Sequence, residues 1–267
     1  MTEKLTVSTQ PVLQIEGLTK YFGGLRAVNN FSLTINPGEL LGLIGPNGAG
    51  KTTAFNMITG LYQPSAGEII FMGESVIGLE PFEITRLGIG RTFQNIRIFS
   101  NLSVLDNVRI AYHNHCGYGL FDGVFRSRNY SVKENELTEK AMQFLEIFKL
   151  ENIRDEISKN LPYGEQRRLE IARALATNPK LLLLDEPAAG MNPAEIARLM
   201  DMIHFIRERF NLTILLIEHQ MRVVMGICER ITVVDFGEVI ARGTPKEIQN
   251  NPSVIEAYLG KEAAHVA

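Results

Sequence analysis

Gly45-Pro46-Asn47-Gly48-Ala49-Gly50-Lys51-Thr52 is a glycine-rich run that ends in a cation and a hydroxyl, with Thr53 next. It fits the spacing G-x-x-x-x-G-K-[ST], whose chemistry is phosphate binding. The glycines let the backbone curl so that successive N–H groups point at one set of anionic oxygens. A helix starting at Lys51 adds the partial positive charge of its N-terminus. Lys51 supplies a point charge for β- and γ-phosphates, and the Thr52 hydroxyl is placed to ligate Mg²⁺. The apolar run "LLGLIG" before the motif and a helical pattern to Thr59, closed by Gly60, separate it from a chance glycine turn.

Two acids, Asp185 and Glu186, close the apolar run "LLLLDEP". Alone they would read as solvated loop carboxylates. Beside a phosphate loop, Asp185 becomes a ligand for Mg²⁺ through water, and Glu186 a group that orients and activates an attacking water. Adjacent acids favour a hydrolase over a kinase, because they provide a metal ligand and a water base together. His219 closes a third run, "TILLIEH". Open α/β sheets bind ligands at the carboxyl ends of their strands. That puts His219 on the same edge, where it hydrogen-bonds a γ-phosphate or positions the water; a lone histidine is more often structural. Gln94, after the strand-like "IGRTF", has an amide oxygen suited to Mg²⁺ and to sensing a γ-phosphate, but by itself it reads equally well as a turn residue.

The elements that must position these groups follow from periodicity. "LLGLIG", "EIIFM", "LLLLDEP", "TILLIEH" and "ITVVDFG" are short apolar runs, several nearly continuous, as in strands covered on both faces of a parallel sheet. Residues 131–150 and 192–210 repeat apolar positions at helical spacing. Asn192, Pro193 and Glu195 mark the second start as a cap, a first-turn proline and a third-position acid. Alternating strands and helices predict an α/β core. "LQIEGLTKYFGG" and "NNFSLTINPGE" alternate apolar and polar residues and predict an antiparallel β-section before it. Residues 95–178 have mostly helical signals and predict a helical subdomain inserted into the sheet's connectivity.

Composition narrows the class. The chain has 267 residues, 45% apolar and 21% charged, with net charge -3. That is ordinary globular composition and gives no overall basic field for nucleic acid. No apolar run reaches the length of a membrane span, and the polar first eleven residues lack a signal-peptide core, so export by that route is not expected and any membrane role is peripheral. Cys116 and Cys228 have neither redox nor metal spacing and fit a reducing cytosol. His113, His115 and Cys116 are spaced too tightly for a closed tetrahedral metal site.

"NLPYGEQRRLEIARAL" (160–175) starts a helix at Pro162 and Gly164, with Leu169, Ala172, Leu175 and Ala176 on its buried side. Its basic residues alternate with Glu165 and Glu170 at i,i+3 spacing, which predicts a solvated, self-paired face, with the helix start left for phosphate.

In this order, over about residues 12–260, the motifs resemble the ATP-binding cassette ATPases. The resemblance implies a P-loop NTPase (RecA-like) fold in one domain: residues 12–94 and 179–260 form the ATP-binding core with its β-section, and 95–178 the helical signature subdomain. It implies ATP and Mg²⁺ as ligands. It makes Gln94 the Q-loop residue, His219 the switch histidine, and Phe22 the ring that stacks on adenine, with neighbouring Tyr21 the other candidate. The signature segment becomes Leu161 to Gln166, contacting the ATP of a second, head-to-tail subunit. Two residues depart from the family pattern there: Pro162 removes the serine hydroxyl that donates to the γ-phosphate, and Tyr163 replaces a glycine. Gly164, Glu165 and the helix end remain for that contact. Asn192 stands where many members carry aspartate; it keeps a cap and loses a charge. "YFGGLRAVNNFSL", "GIGRTFQNIRIFSNLSVLDNV", "PYGEQRRLEIARAL" and "DEPAAGMNP" are similar to the ATPases of branched-chain amino acid importers. ATPases for urea or amide uptake and for lipopolysaccharide export are close alternatives, and a soluble non-transport cassette protein is a more distant one. The implied partners are a second ATPase subunit, membrane permease subunits and, indirectly, a solute-binding protein outside the membrane, with no nucleic acid; the implied location is the cytoplasmic face of the membrane.

Overall fold

The chain opens with a hairpin, β1 (Leu13–Phe22) and β2 (Leu25–Ile35), turned at Gly23-Gly24. Alternation puts Leu13 and Ile15 inward, and a register shift after Ile15 brings Leu18 to the same buried state. β3 (Leu40–Ile44) follows, then α1 (Lys51–Ile58), β4 (Ala66–Phe71) and β5 (Glu74–Ser75). β2, β1, β4 and β5 form one four-stranded antiparallel sheet, with Leu13 opposite both Ile35 and Phe71. The predicted β-section is therefore present and has gained two members, β4 and β5. "EIIFM" read like the parallel runs, but β4 is only half buried and joins the antiparallel sheet.

The computed structural model describes residues 10–112 and 128–264, so the His113–Cys116 run lies outside it. The chain divides into two compact units, one up to Ile84 and from Leu183 onward, the other from Thr85 to Leu182. After α2 (Pro81–Leu87) the second unit holds β6 (Ile89–Arg91), α3 (Val104–Tyr112), α4 (Arg128–Ile147) and α5 (Tyr163–Ala176). Leu137, Ala141, Leu145, Leu169, Ala172 and Leu175 are buried, as helical spacing predicts.

The rest of the chain returns to the first unit through β7 (Leu181–Asp185), α6 (Pro193–Phe210), β8 (Thr213–Ile217), α7 (Met221–Ile227), β9 (Arg230–Asp235), β10 (Glu238–Gly243), α8 (Pro245–Gln249) and α9 (Pro252–Ala264). Neighbouring strands run in the order β10-β9-β3-β8-β7, with β3 parallel to both β8 and β9. Leu181 to Leu184 and Ile214 to Ile217 are all 0% exposed. Each such side chain contributes about 1.5–3 kcal/mol on burial, so this central sheet forms the rigid part of the fold. Cys228 packs under β3, and burial first, then Glu218 and Glu229, push its thiol up to about 12. No helix among the described residues is long and apolar enough to cross a membrane.

Candidate active site

Three adjacent strands, β3, β8 and β7, lead into the predicted groups: Gly45, His219 and Asp185-Glu186. After β3 the backbone curls through positive φ at Gly45, Gly48 and Gly50. A Cβ on Gly45 would lie 2.0 Å from the Val234 carbonyl oxygen, and one on Gly50 2.6 Å from that of Ala27. No side chain with a Cβ fits either position, which is the physical reason for glycine there. Gly50 caps α1 without a side-chain hydrogen bond, and a helix start of this kind suits an anion. Lys51 is 7% exposed and donates from Nζ to the carbonyls of Gly45 at 2.6 Å and Pro46 at 2.9 Å, which holds the ammonium against the curl. Thr52 is exposed at the start of α1 and Thr53 half-buried beside it. The Gly237 amide donates to the Ala49 carbonyl and its carbonyl accepts from Asn29, so the β9–β10 turn braces the curl against β2.

Asp185 is 2% exposed at the last position of β7. Glu186 has φ 45, a left-handed backbone that costs a residue with a Cβ about 1 kcal/mol or more. Its amide donates to the Ile217 carbonyl at 2.9 Å, so β8 holds the strained turn. Its Oε2 lies 3.5 Å from His219 Nδ1. The acid and the histidine are thus brought together, as the strand-end argument predicts.

Glu218 was not among the expected site residues. It is fully buried and accepts from the Ala188 amide at 2.8 Å on one oxygen, and from the His219 and Gln220 amides at 3.0 and 3.2 Å on the other. Gln220 Nε2 donates back to the Ala188 carbonyl at 2.9 Å. These bonds tie the loop after Glu186 to the loop carrying His219. Asn192 closes the first of these loops with the expected capping box: its side chain accepts from Ala194 and Glu195, and Glu195 accepts from the Asn192 amide.

Phe22, 41% exposed, meets Tyr62 edge-on at 5.2 Å, with Lys20 Nζ 5.3 Å from its ring centroid; Tyr21 is also exposed. Tyr62 had no sequence signal, because its partner is forty residues away in the chain.

Gln94 and the signature segment belong to the second unit. Gln94 is exposed, after β6. Pro162 caps α5 without a side-chain bond, and its carbonyl accepts from Glu165 and Gln166. Pro162 and Tyr163 are exposed, Gly164 and Glu165 half-buried. One expectation is corrected here. The basic face of α5 is not a solvated one. Glu165 and Arg168 do form a partly exposed i,i+3 pair at 3.3 Å, but Arg167 and Glu170, paired at 2.7 Å, are 1% and 4% exposed at their side chains. They are buried because the segment after β6 covers them and offers backbone partners. Burial raises the pKa of Glu170 and lowers that of Arg173.

A phosphate curl at one strand end, paired acids at another and a histidine at a third, on a parallel sheet with an antiparallel flank, define a P-loop nucleotide hydrolase. The comparisons narrow this. Residues 28–189 match the family described as ABC transporter, and residues 238–264 match the branched-chain amino acid ATP-binding cassette transporter family. The chain is 47% identical over 253 residues to the high-affinity branched-chain amino acid transport ATP-binding protein LivG of Escherichia coli strain K12, covering 95% of this chain and 99% of the relative. It is 45% identical, with the same coverage, to the corresponding protein BraF of Pseudomonas aeruginosa. A crystal structure of an ATP-binding cassette of an ABC transporter in its ADP conformation superposes with TM-score 0.81 at 33% identity, covering 94% of this chain and 100% of that one. The chain belongs to the ABC transporter family, and it is an ATPase of that family.

Proposed function

We propose that this chain is the nucleotide-binding subunit of an importer of branched-chain amino acids, one of two cassettes that power a separate membrane permease from its cytoplasmic face. The match at residues 238–264 carries the substrate class, because it lies outside the phosphate loop, the acidic strand end and the histidine that perform hydrolysis. The solute itself is bound by the permease and an outer solute-binding protein.

The triphosphate of ATP lies in the curl from Gly45 to Thr52, where backbone amides and Lys51 neutralise β- and γ-oxygens. Phe22 offers its ring to adenine. Thr52 and Asp185 would hold Mg²⁺, and a hydroxyl and a carboxylate are the hard oxygen donors that ion prefers; the Gln94 amide offers an oxygen of the same kind. When bound, the ion shields the triphosphate charge. Glu186 takes the proton of the attacking water, and His219, 3.5 Å away, keeps the carboxylate aimed and bonds the γ-phosphate. Pro162, Tyr163, Gly164 and Glu165 present the uncapped start of α5 to the γ-phosphate of the partner cassette, with backbone amides in place of a hydroxyl.

Two measurements test this. Glu186→Gln keeps ATP binding and lowers turnover at least about a hundredfold; near-normal hydrolysis removes Glu186 from the role. In the complex with its permease, ATP hydrolysis rises with a leucine-loaded binding protein and not with one loaded with urea. The reverse response overturns the substrate class.

A further inference from the structure

Among the described residues of the second unit, the most deeply buried ion pair lies outside every phosphate motif. Arg167, one turn into α5, is 0% exposed. Its Nη1 donates to the Phe93 carbonyl and to Glu170 Oε2, both at 2.7 Å. Its Nη2 donates to the Gln94 carbonyl at 2.9 Å and to the Tyr163 hydroxyl oxygen at 3.1 Å. The other carboxylate oxygen of Glu170 accepts from the amides of Phe93 at 3.2 Å and Arg97 at 3.0 Å. One pair of side chains therefore holds two carbonyls and two amides of a segment that has no regular secondary structure. Further along, Asn107 bonds both the amide and the carbonyl of Phe99. A buried ion pair is a poor way to gain stability, since desolvation offsets the attraction. A rigid guanidinium fork is a good way to fix backbone geometry.

We propose that Arg167 and Glu170 are positioning residues for Gln94, and that the Tyr163 hydroxyl ties their clamp to the start of α5. The inference rests on the proposed roles of Gln94 as an Mg²⁺ ligand and of the first turn of α5 as a contact for the partner's γ-phosphate. A single nitrogen, Arg167 Nη2, touches both the Gln94 carbonyl and the Tyr163 hydroxyl. A change at the first turn of α5 reaches Gln94 through two hydrogen bonds, so nucleotide on the partner cassette alters the metal ligand of this one. The tyrosine that replaces the family's glycine is then a connector.

The first test uses metal-free, nucleotide-free protein. Amide hydrogen exchange at Phe93 and Arg97 accelerates about tenfold in Glu170→Gln and about threefold in Tyr163→Phe, while α3 and α4 exchange at their original rates. The second test titrates Mg²⁺ in ATP hydrolysis. Gln94→Ala raises the Mg²⁺ concentration for half-maximal rate, Tyr163→Phe raises it about three- to tenfold, and the double variant matches Gln94→Ala alone. Tyr163→Phe removes one exposed hydroxyl and decides the matter even where Glu170→Gln fails to fold. Unchanged exchange at residues 93–97 in Tyr163→Phe overturns the proposal, and so do Mg²⁺ effects that multiply in the double variant. An unchanged Mg²⁺ requirement in Gln94→Ala shows instead that Gln94 is no metal ligand, and the positioning role falls with that reading.

Discussion

At the scale of single residues, the site depends on one side chain that no motif names. Glu218 precedes the histidine that the strand-end argument singles out, and by sequence it is one more acid in a loop. Folding turns its carboxylate inward onto three amides, two of its own loop and one from Ala188. Glu218→Ala leaves those donors without an acceptor, at about 1–3 kcal/mol for each one that water does not reach. We expect a lower unfolding midpoint and a turnover reduced about tenfold or more, because Glu186 and His219 lose their common brace. Glu218→Gln keeps one acceptor oxygen and falls between. Denaturant unfolding and ATPase rates on the same preparations measure both. Equal turnover in all three proteins would remove Glu218 from the site. Lys51, Thr52, Asp185, Glu186 and His219 were legible in the sequence because each follows an apolar strand or a glycine pattern. Glu218 and Tyr62 were not, because their partners are distant in the chain.

At the scale of elements, helix starts were the most readable features. Asn192, Pro193 and Glu195 announced the capping box of α6, and the structure contains it. Asn192→Ala removes an acceptor used by two amides and costs about 1 kcal/mol of stability. Thermal unfolding should show a drop of a few degrees, and Asn192→Asp should show none; equal losses in the two would mean that the capping oxygen is not what stabilises the helix start. The outer face of α5 was less readable. Charge alternation predicted i,i+3 pairs, and Arg167–Glu170 and Glu165–Arg168 form them, but pairing says nothing of what lies above the pair. Burial of Arg167 depends on a segment seventy residues earlier, which periodicity cannot see. β4 was misplaced for a related reason, since a five-residue apolar run has no signal for which of two sheets receives it.

At the scale of the whole molecule, order along the chain predicted more than composition did. Phosphate curl, acids and histidine each close a strand, and a parallel sheet brings such strand ends to a common edge. The bracing of the curl has a further use. Gly237 bonds Ala49, and the residue before it, Phe236, is 77% exposed with φ 45. The chain contains no tryptophan. Phe236→Trp therefore places the chain's single tryptophan one residue from the hydrogen bond that supports the phosphate loop, and the exchange of one aromatic ring for another asks little of the backbone. Its emission should shift when ATP is added and stay constant in a variant whose loop binds none, such as Lys51→Ala. A spectrum indifferent to ATP in the binding-competent protein would mean that the turn does not follow the loop. The turn at Phe236 is thus an optical window on nucleotide occupancy, available without an attached dye.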